Sequence, residues 1–209
     1  MKKLLNKRVL LPLAGIVLVA AATVLAVDWR AAQRAHELLP VNVRMGGDFS
    51  LPSTRGAPLD TRALRGKVVL LNFGFASCPD VCPMVLARLR QVVKTLGPAG
   101  EGVQVVFVSF DPARDSVASL KPYVEHFHPG FVAATGSEAD IARVAARYGV
   151  VYLKESSGSA AGYGFAHSDY IYLIDSEGRL RKLYDTRART DEMVADVRLL
   201  QAADRSLFR

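Results

Sequence analysis

Apolar positions along this chain fall into patterns of different lengths and periods. Residues 9–27 run for 19 positions without a charge and with one proline, long enough to cross a hydrocarbon core as a helix. Residues 67–75 and 103–110 are shorter, nearly continuous and rich in β-branched and aromatic side chains. They predict strands buried on both faces. Elsewhere the period is helical. Met84, Val85, Leu86, Leu89, Val92, Val93 and Leu96 predict a helix with these residues on its core stripe, stopped by Gly97-Pro98. Asp115 is the expected N-cap of a helix reaching about Phe127, and Ile141, Val144, Ala145 and Tyr148 share one face of a helix over residues 138–148. Short strands are predicted at 131–134 and 150–153. Residues 168–174 alternate as a strand does, Asp175-Ser176-Glu177-Gly178 forms a turn, and residues 179–184 return as its hairpin partner. Thr190 caps a final helix from 191 to about 203.

Ahead of the first buried strand, residues 31–39 are able to extend the apolar helix until Pro40. The alternation at 46–51 and 57–59 around Thr54-Arg55-Gly56 suggests a hairpin, and Asp60 caps a short helical turn ended by Gly66. Residues 154–165 (KESSGSAAGYGF) are small, polar and glycine-rich, and predict a mobile loop. Strands alternating with helices imply an α/β fold with a central mixed sheet covered on both faces. The expected divisions are a basic flank at 1–8, a transmembrane anchor at 9–27, a linker at 28–45 and a folded domain at 46–209.

Charge supports that division. The formal net charge is +7. Residues 1–30 hold five basic residues and one acidic, leaving +4, while the rest holds 22 against 19, leaving +3. The excess belongs largely to Lys2, Lys3, Lys7 and Arg8, which flank the apolar run and keep that end in the cytoplasm, sending the domain outward. Trp29 suits the membrane interface. No basic block interleaved with aromatics is present, so nucleic acid is not an expected partner. A cleaved secretory peptide is the competing reading; the run is long for one and no Ala-x-Ala site follows at once, so an uncleaved anchor is preferred. Either way the domain lies outside the cytoplasm.

The chain has two cysteines, Cys78 and Cys82, four positions apart and each followed by proline. A disulfide between them would close a tiny loop and stabilise little, which favours chemistry over structure. The prolines predict that both sulfurs sit on a loop outside the helix, with Pro83 at its first position. A helix N-terminus favours thiolate, which binds soft metals and attacks disulfides. Cu(I), Zn(II) and iron–sulfur remain open on this basis, the last needing further cysteines from an associated chain. A good copper or zinc site needs a third ligand. His36 lies in the linker, and His126 and His128 flank Phe127 at a surface helix end. His167 follows the glycine-rich segment and starts a strand, from which a mobile loop would let it swing over the cysteines. Asp80 is a candidate cap for the following turn, or a weak oxygen ligand. Asp111 and Asp115 are expected to organise the adjacent loop and helix start.

A thiol pair at the first strand-to-helix junction is similar to thioredoxin, whose Cys-x-x-Cys is one residue shorter. The sequence more closely resembles the Sco/SenC family over residues 46–205. The resemblance rests on Gly46-Gly47-Asp48-Phe49, Gly66-Lys67, Cys78-Pro79-Asp80-Val81-Cys82-Pro83, Ser109-Phe110-Asp111-Pro112-Ala113-Arg114-Asp115 and His167-Ser168. It departs at Ala76-Ser77 and Ser116-Val117, neither of which removes a ligand. The resemblance implies a thioredoxin-like fold and copper, as Cu(I) or Cu(II), held by Cys78, Cys82 and His167. It implies a copper metallochaperone anchored in the inner membrane with its domain on the periplasmic side. The partners implied are the copper-centre subunit of cytochrome c oxidase, a copper donor and a thiol reductant. The alternative is a thiol–disulfide oxidoreductase using Cys78 and Cys82 on the cysteines of the oxidase copper site. A peroxidase-like or redox-sensing activity ranks third.

Overall fold

In chain order the computed structural model, which describes residues 7–156, 162–185 and 187–207, opens with helix α1 (Lys7–Leu38). A small antiparallel hairpin, β1 (Ser50–Leu51) and β2 (Leu59–Asp60), follows. The Asp60 carboxylate then accepts from Arg62 N to cap a single turn at Thr61–Leu64. Next come β3 (Val68–Gly74), α2 (Val81–Leu96), β4 (Val103–Ser109), α3 (Val117–Phe127), β5 (Val132–Ala134) and α4 (Glu138–Arg147). The chain ends with β6 (Tyr152–Ser156), β7 (Tyr163–His167), β8 (Ile171–Ile174), β9 (Leu180–Tyr184) and α5 (Thr190–Leu207).

The central sheet has the order β5-β4-β3-β8-β9. Strands β3, β4 and β5 are mutually parallel, whereas β8 and β9 run antiparallel. Every residue of β3 and β4 is buried, as continuous apolar runs covered on both faces must be. Helices flank this sheet, giving the mixed α/β, thioredoxin-like arrangement expected. On one face the Phe73, Tyr148 and Tyr172 rings meet edge to face or tilted, with centroids 5.4–5.6 Å apart, a favourable geometry for aromatic quadrupoles.

Topology places the functional end. Gly74 and Ser109 close β3 and β4 side by side. Strand β8 runs the other way, with Ile171 opposite Asn72. The residues entering β8 therefore arrive beside the residues leaving β3.

Several local expectations change. Cys82 lies inside the first turn of α2, and Pro83 is its third residue rather than its first. First-turn N–H groups have no intrahelical acceptor, so proline costs no hydrogen bond there. Asp80 precedes the helix but its side chain makes no capping bond. Met84 is 52% exposed, and Cys82 takes the inward position assigned to that turn, with Val85, Leu86, Leu89, Val92 and Leu96 also buried. The cap of α3 is Ser116, in a reciprocal capping box with Ser119, not Asp115, which is buried. Residues 154–156 and 163–165 of the expected loop belong to an antiparallel ribbon in which 152–156 pair with 163–167; residues 157–161, at its tip, lie outside the described residues. His167 consequently ends a strand instead of starting one.

Candidate metal centre

Strand β3 ends at Gly74, and the chain turns at once, with Cys78 N donating to Phe75 O. The Asp115 carboxylate holds this turn. One of its oxygens accepts from Ala76 N at 2.8 Å and from Ser109 Oγ at 2.6 Å. A buried carboxylate with two donors thus ties the cysteine loop to the end of β4. Burial still pushes its pKa up against those bonds.

Cys78 Sγ sits over the start of α2, 3.5 Å from Cys82 N. It occupies the acceptor position that the Asp80 side chain leaves unused. Cys82 is buried and Cys78 half-buried; both are free thiols. The Cys82 sulfur fits because Gly74 has no side chain. A Cβ there would fall 2.6 Å from Cys82 Sγ and 2.9 Å from the Phe107 ring.

The two thiols differ electrostatically. A hydrogen bond from Cys82 holds the Cys78 thiol down at about 3 against the opposing effect of burial, with further bonds from His167 and from the Cys82 and Asp80 backbone. The same shared bond, reinforced by burial, pushes the Cys82 thiol up. One thiolate with one thiol is the expected state of a close pair at a helix N-terminus.

His167 comes from β7. Its side chain is only 5% exposed, and the ring lies against Phe110 and Phe75, with centroids 5.0 and 6.0 Å away. Nδ1 is 2.8 Å from Asp169 Oδ1. Burial pulls the imidazole pKa down, but the hydrogen bond to Cys78 and the charge of Asp169 outweigh it, so it lies above its ordinary value. Asp169 is pushed up by burial, partly offset by His167.

The ligand atoms of Cys78, Cys82 and His167 all lie within 4.8 Å of one another. Two sulfurs bound to one ion at about 2.3 Å stand at most about 4.6 Å apart, so a small closure is enough for all three to share an ion. Two thiolates and an imidazole suit Cu or Zn and disfavour hard cations. Metal would displace the remaining thiol proton, since ligands bind deprotonated.

The other candidates stay apart from this centre. His36 is an exposed residue of α1. His128 Nδ1 accepts from Gly130 N beyond the end of α3, and His126 packs against Phe127. Asp111 is buried, paired with Arg114 and accepting from Tyr163 Oη at 2.8 Å. The sequence reading missed Asp169 beside the imidazole and the aromatic wall of Phe75, Phe110, Tyr152 and Phe165. A carboxylate two residues from a candidate ligand was the available signal for Asp169; the wall had none, because its members come from separate segments.

The family model described as SCO1/SenC matches residues 40–201. An SCO2-like protein of Rickettsia conorii is 35% identical over 158 residues, 75% of this chain and 77% of that protein. Protein SCO2 homolog, mitochondrial, of Bos taurus is 41% identical over 183 residues, 86% of this chain and 68% of that protein. Among solved structures, that of Bradyrhizobium japonicum ScoI with copper bound superposes with a TM-score of 0.69 at 33% identity, covering 75% of this chain and 99% of that one.

Proposed function

The chain belongs to the SCO1/SenC family, and from that premise we propose that it is a copper metallochaperone. Cys78, Cys82 and His167 bind the copper, which is cargo for the binuclear copper centre of cytochrome c oxidase. The observation that carries this reading is the convergence of two sulfurs and an imidazole within 4.8 Å at the sheet end. A copper-bound relative of the same fold supports the choice of copper over zinc.

Cargo must be held and then released. Cys78 is half-buried and carries the readily ionised sulfur, so it is the ligand an incoming acceptor thiolate reaches first. Cys82 and His167 are more enclosed and keep hold of the ion while the exchange begins. Helix α1 has a stretch, Gly15–Leu38, long and apolar enough to cross a membrane by length and composition. Ile16, Val17, Leu18 and Val19 on it are exposed and need an apolar surrounding. On this reading the helix anchors the domain on the periplasmic side of the inner membrane, where a copper donor loads it and a thiol reductant keeps it reduced.

A second reading has its own support in the unequal thiols. Cys78 thiolate attacks a disulfide of the target, one target sulfur leaves as thiolate, and Cys82 resolves the mixed disulfide as its proton is lost. The target gains two electrons, and this chain is left with a Cys78–Cys82 disulfide for its own reductant to reopen.

Titration of the full chain in nanodiscs with Cu(I) and Cu(II) tests the proposal. One equivalent is expected to bind, and Cys78→Ser, Cys82→Ser and His167→Ala each to abolish tight binding. Wild-type protein that reduces disulfides but binds no copper would leave the oxidoreductase reading standing instead.

A further inference from the structure

We infer that Asp169 is a positioning residue for the metal centre, orienting His167 and favouring Cu(II) over Cu(I). The inference rests on the metal-site reading above and adds a residue outside the three ligands.

Its basis is geometric. Asp169 lies in the three-residue connection between β7 and β8, and its Oδ1 is 2.8 Å from His167 Nδ1. Ser168 O is a second oxygen near the same nitrogen, at 3.3 Å. Two acceptors at Nδ1 hold a proton on this nitrogen, which leaves Nε2 as the nitrogen available to a metal ion. The Phe75 and Phe110 rings stand edge to face against the imidazole. The ring is therefore packed against two aromatic side chains and held at one nitrogen by a carboxylate. A carboxylate on the outer nitrogen of a ligating histidine fixes the tautomer and raises its donor strength.

The carboxylate also adds charge. Its side chain is 27% exposed, so water screens it incompletely. A fixed negative charge attracts a doubly charged ion more strongly than a singly charged one. Asp169 therefore weights the site toward Cu(II) beyond what two thiolates and an imidazole provide.

The test compares the full chain in nanodiscs with Asp169→Ala and Asp169→Asn, measuring Cu(I) and Cu(II) affinities by competition and Cu(II) coordination by electron paramagnetic resonance. Asp169→Ala is expected to weaken Cu(II) roughly tenfold to a hundredfold and Cu(I) by much less. Asp169→Asn keeps an oxygen for Nδ1–H but not the charge. It is expected to lower the Cu(II)-to-Cu(I) affinity ratio while preserving the wild-type nitrogen hyperfine pattern. An unchanged ratio in both variants, with the parent chain binding one copper, overturns this inference alone. A new coordination pattern in Asp169→Asn makes the carboxylate a direct ligand and overturns it as well. No copper on the parent chain removes the metal-site reading and this inference together.

Discussion

Cys78, Cys82 and His167 are legible in the sequence because the first two fall at the end of a buried strand and the third belongs to a family motif. What surrounds them is less legible. Gly74 reads as one apolar-strand residue among seven, yet its missing side chain is what admits the Cys82 sulfur. Sequence cannot show this, because the clash that selects glycine depends on how a helix seven residues on returns to the strand. Gly74→Ala should overpack the site, costing about 1–3 kcal/mol in chemical denaturation. It should also move Cys82 Sγ away from Cys78, weakening copper at least tenfold in the same titration. Full copper affinity in a folded Gly74→Ala chain would show that the sulfur has room elsewhere. Asp115 shows the same limit from the other side. Its place before a helix marks it as a cap, whereas the folded chain uses its carboxylate to tie the cysteine loop to β4.

At the scale of elements, the core strands and helices follow their apolar periods closely, and the β6–β7 ribbon does not. Its strands are exposed or half-buried, so no alternation marks them, and the glycines and serines near the tip suggest a loop. Backbone pairing and contacts with the domain hold it instead. Tyr163 is the latch. Its hydroxyl donates to Asp111 Oδ1, its carbonyl accepts from Arg114 at 3.0 Å, and the Arg114 guanidinium and Lys154 ammonium each lie 3.7 Å from its ring centroid. Stacked Phe110 and Tyr152, 4.8 Å apart, add a second fastening. Because His167 ends this ribbon, its freedom depends on the latch. Tyr163→Ala should raise hydrogen exchange several-fold at residues 152–156 and 163–167 while leaving β3 and β4 protected. It should also speed copper transfer to an acceptor more than it weakens binding. Exchange unchanged across the ribbon would place the hold elsewhere.

Across the whole molecule, the arrangement turns on how α1 meets the domain. Composition marks residues 28–45 as a connection, with nothing apolar enough to announce packing. In the structure α1 continues to Leu38, and Ala35 and Leu39 are buried against the domain. Arg181 of β9 fastens them. Its guanidinium donates to Leu39 O at 2.6 Å and Ala35 O at 2.8 Å and pairs with buried Asp175 at 2.8 Å. Ala35 O also accepts from Leu39 N, whereas Leu39 O lies past the helix's own donors and takes the arginine instead. Asn42 N to Leu180 O and Gly46 N to Arg147 O continue the seam. Were the membrane span the 9–27 run expected from the sequence, the helical residues 28–38 would rise about 16 Å beyond it at 1.5 Å per residue. On the proposed function, this seam would hold the cysteine loop at a set height and orientation above the membrane, where a loose tether would let it wander. Removing the arginine leaves Asp175 short of its buried partner, Leu39 O short of its side-chain donor and Ala35 O with Leu39 N alone, so Arg181→Ala should cost about 3 kcal/mol. In nanodiscs it should release the amides of residues 39–46 to fast hydrogen exchange while the central sheet remains protected. If those amides already exchange freely in the parent chain, helix and domain are not joined as a rigid unit, and the site's orientation is set by its acceptor instead.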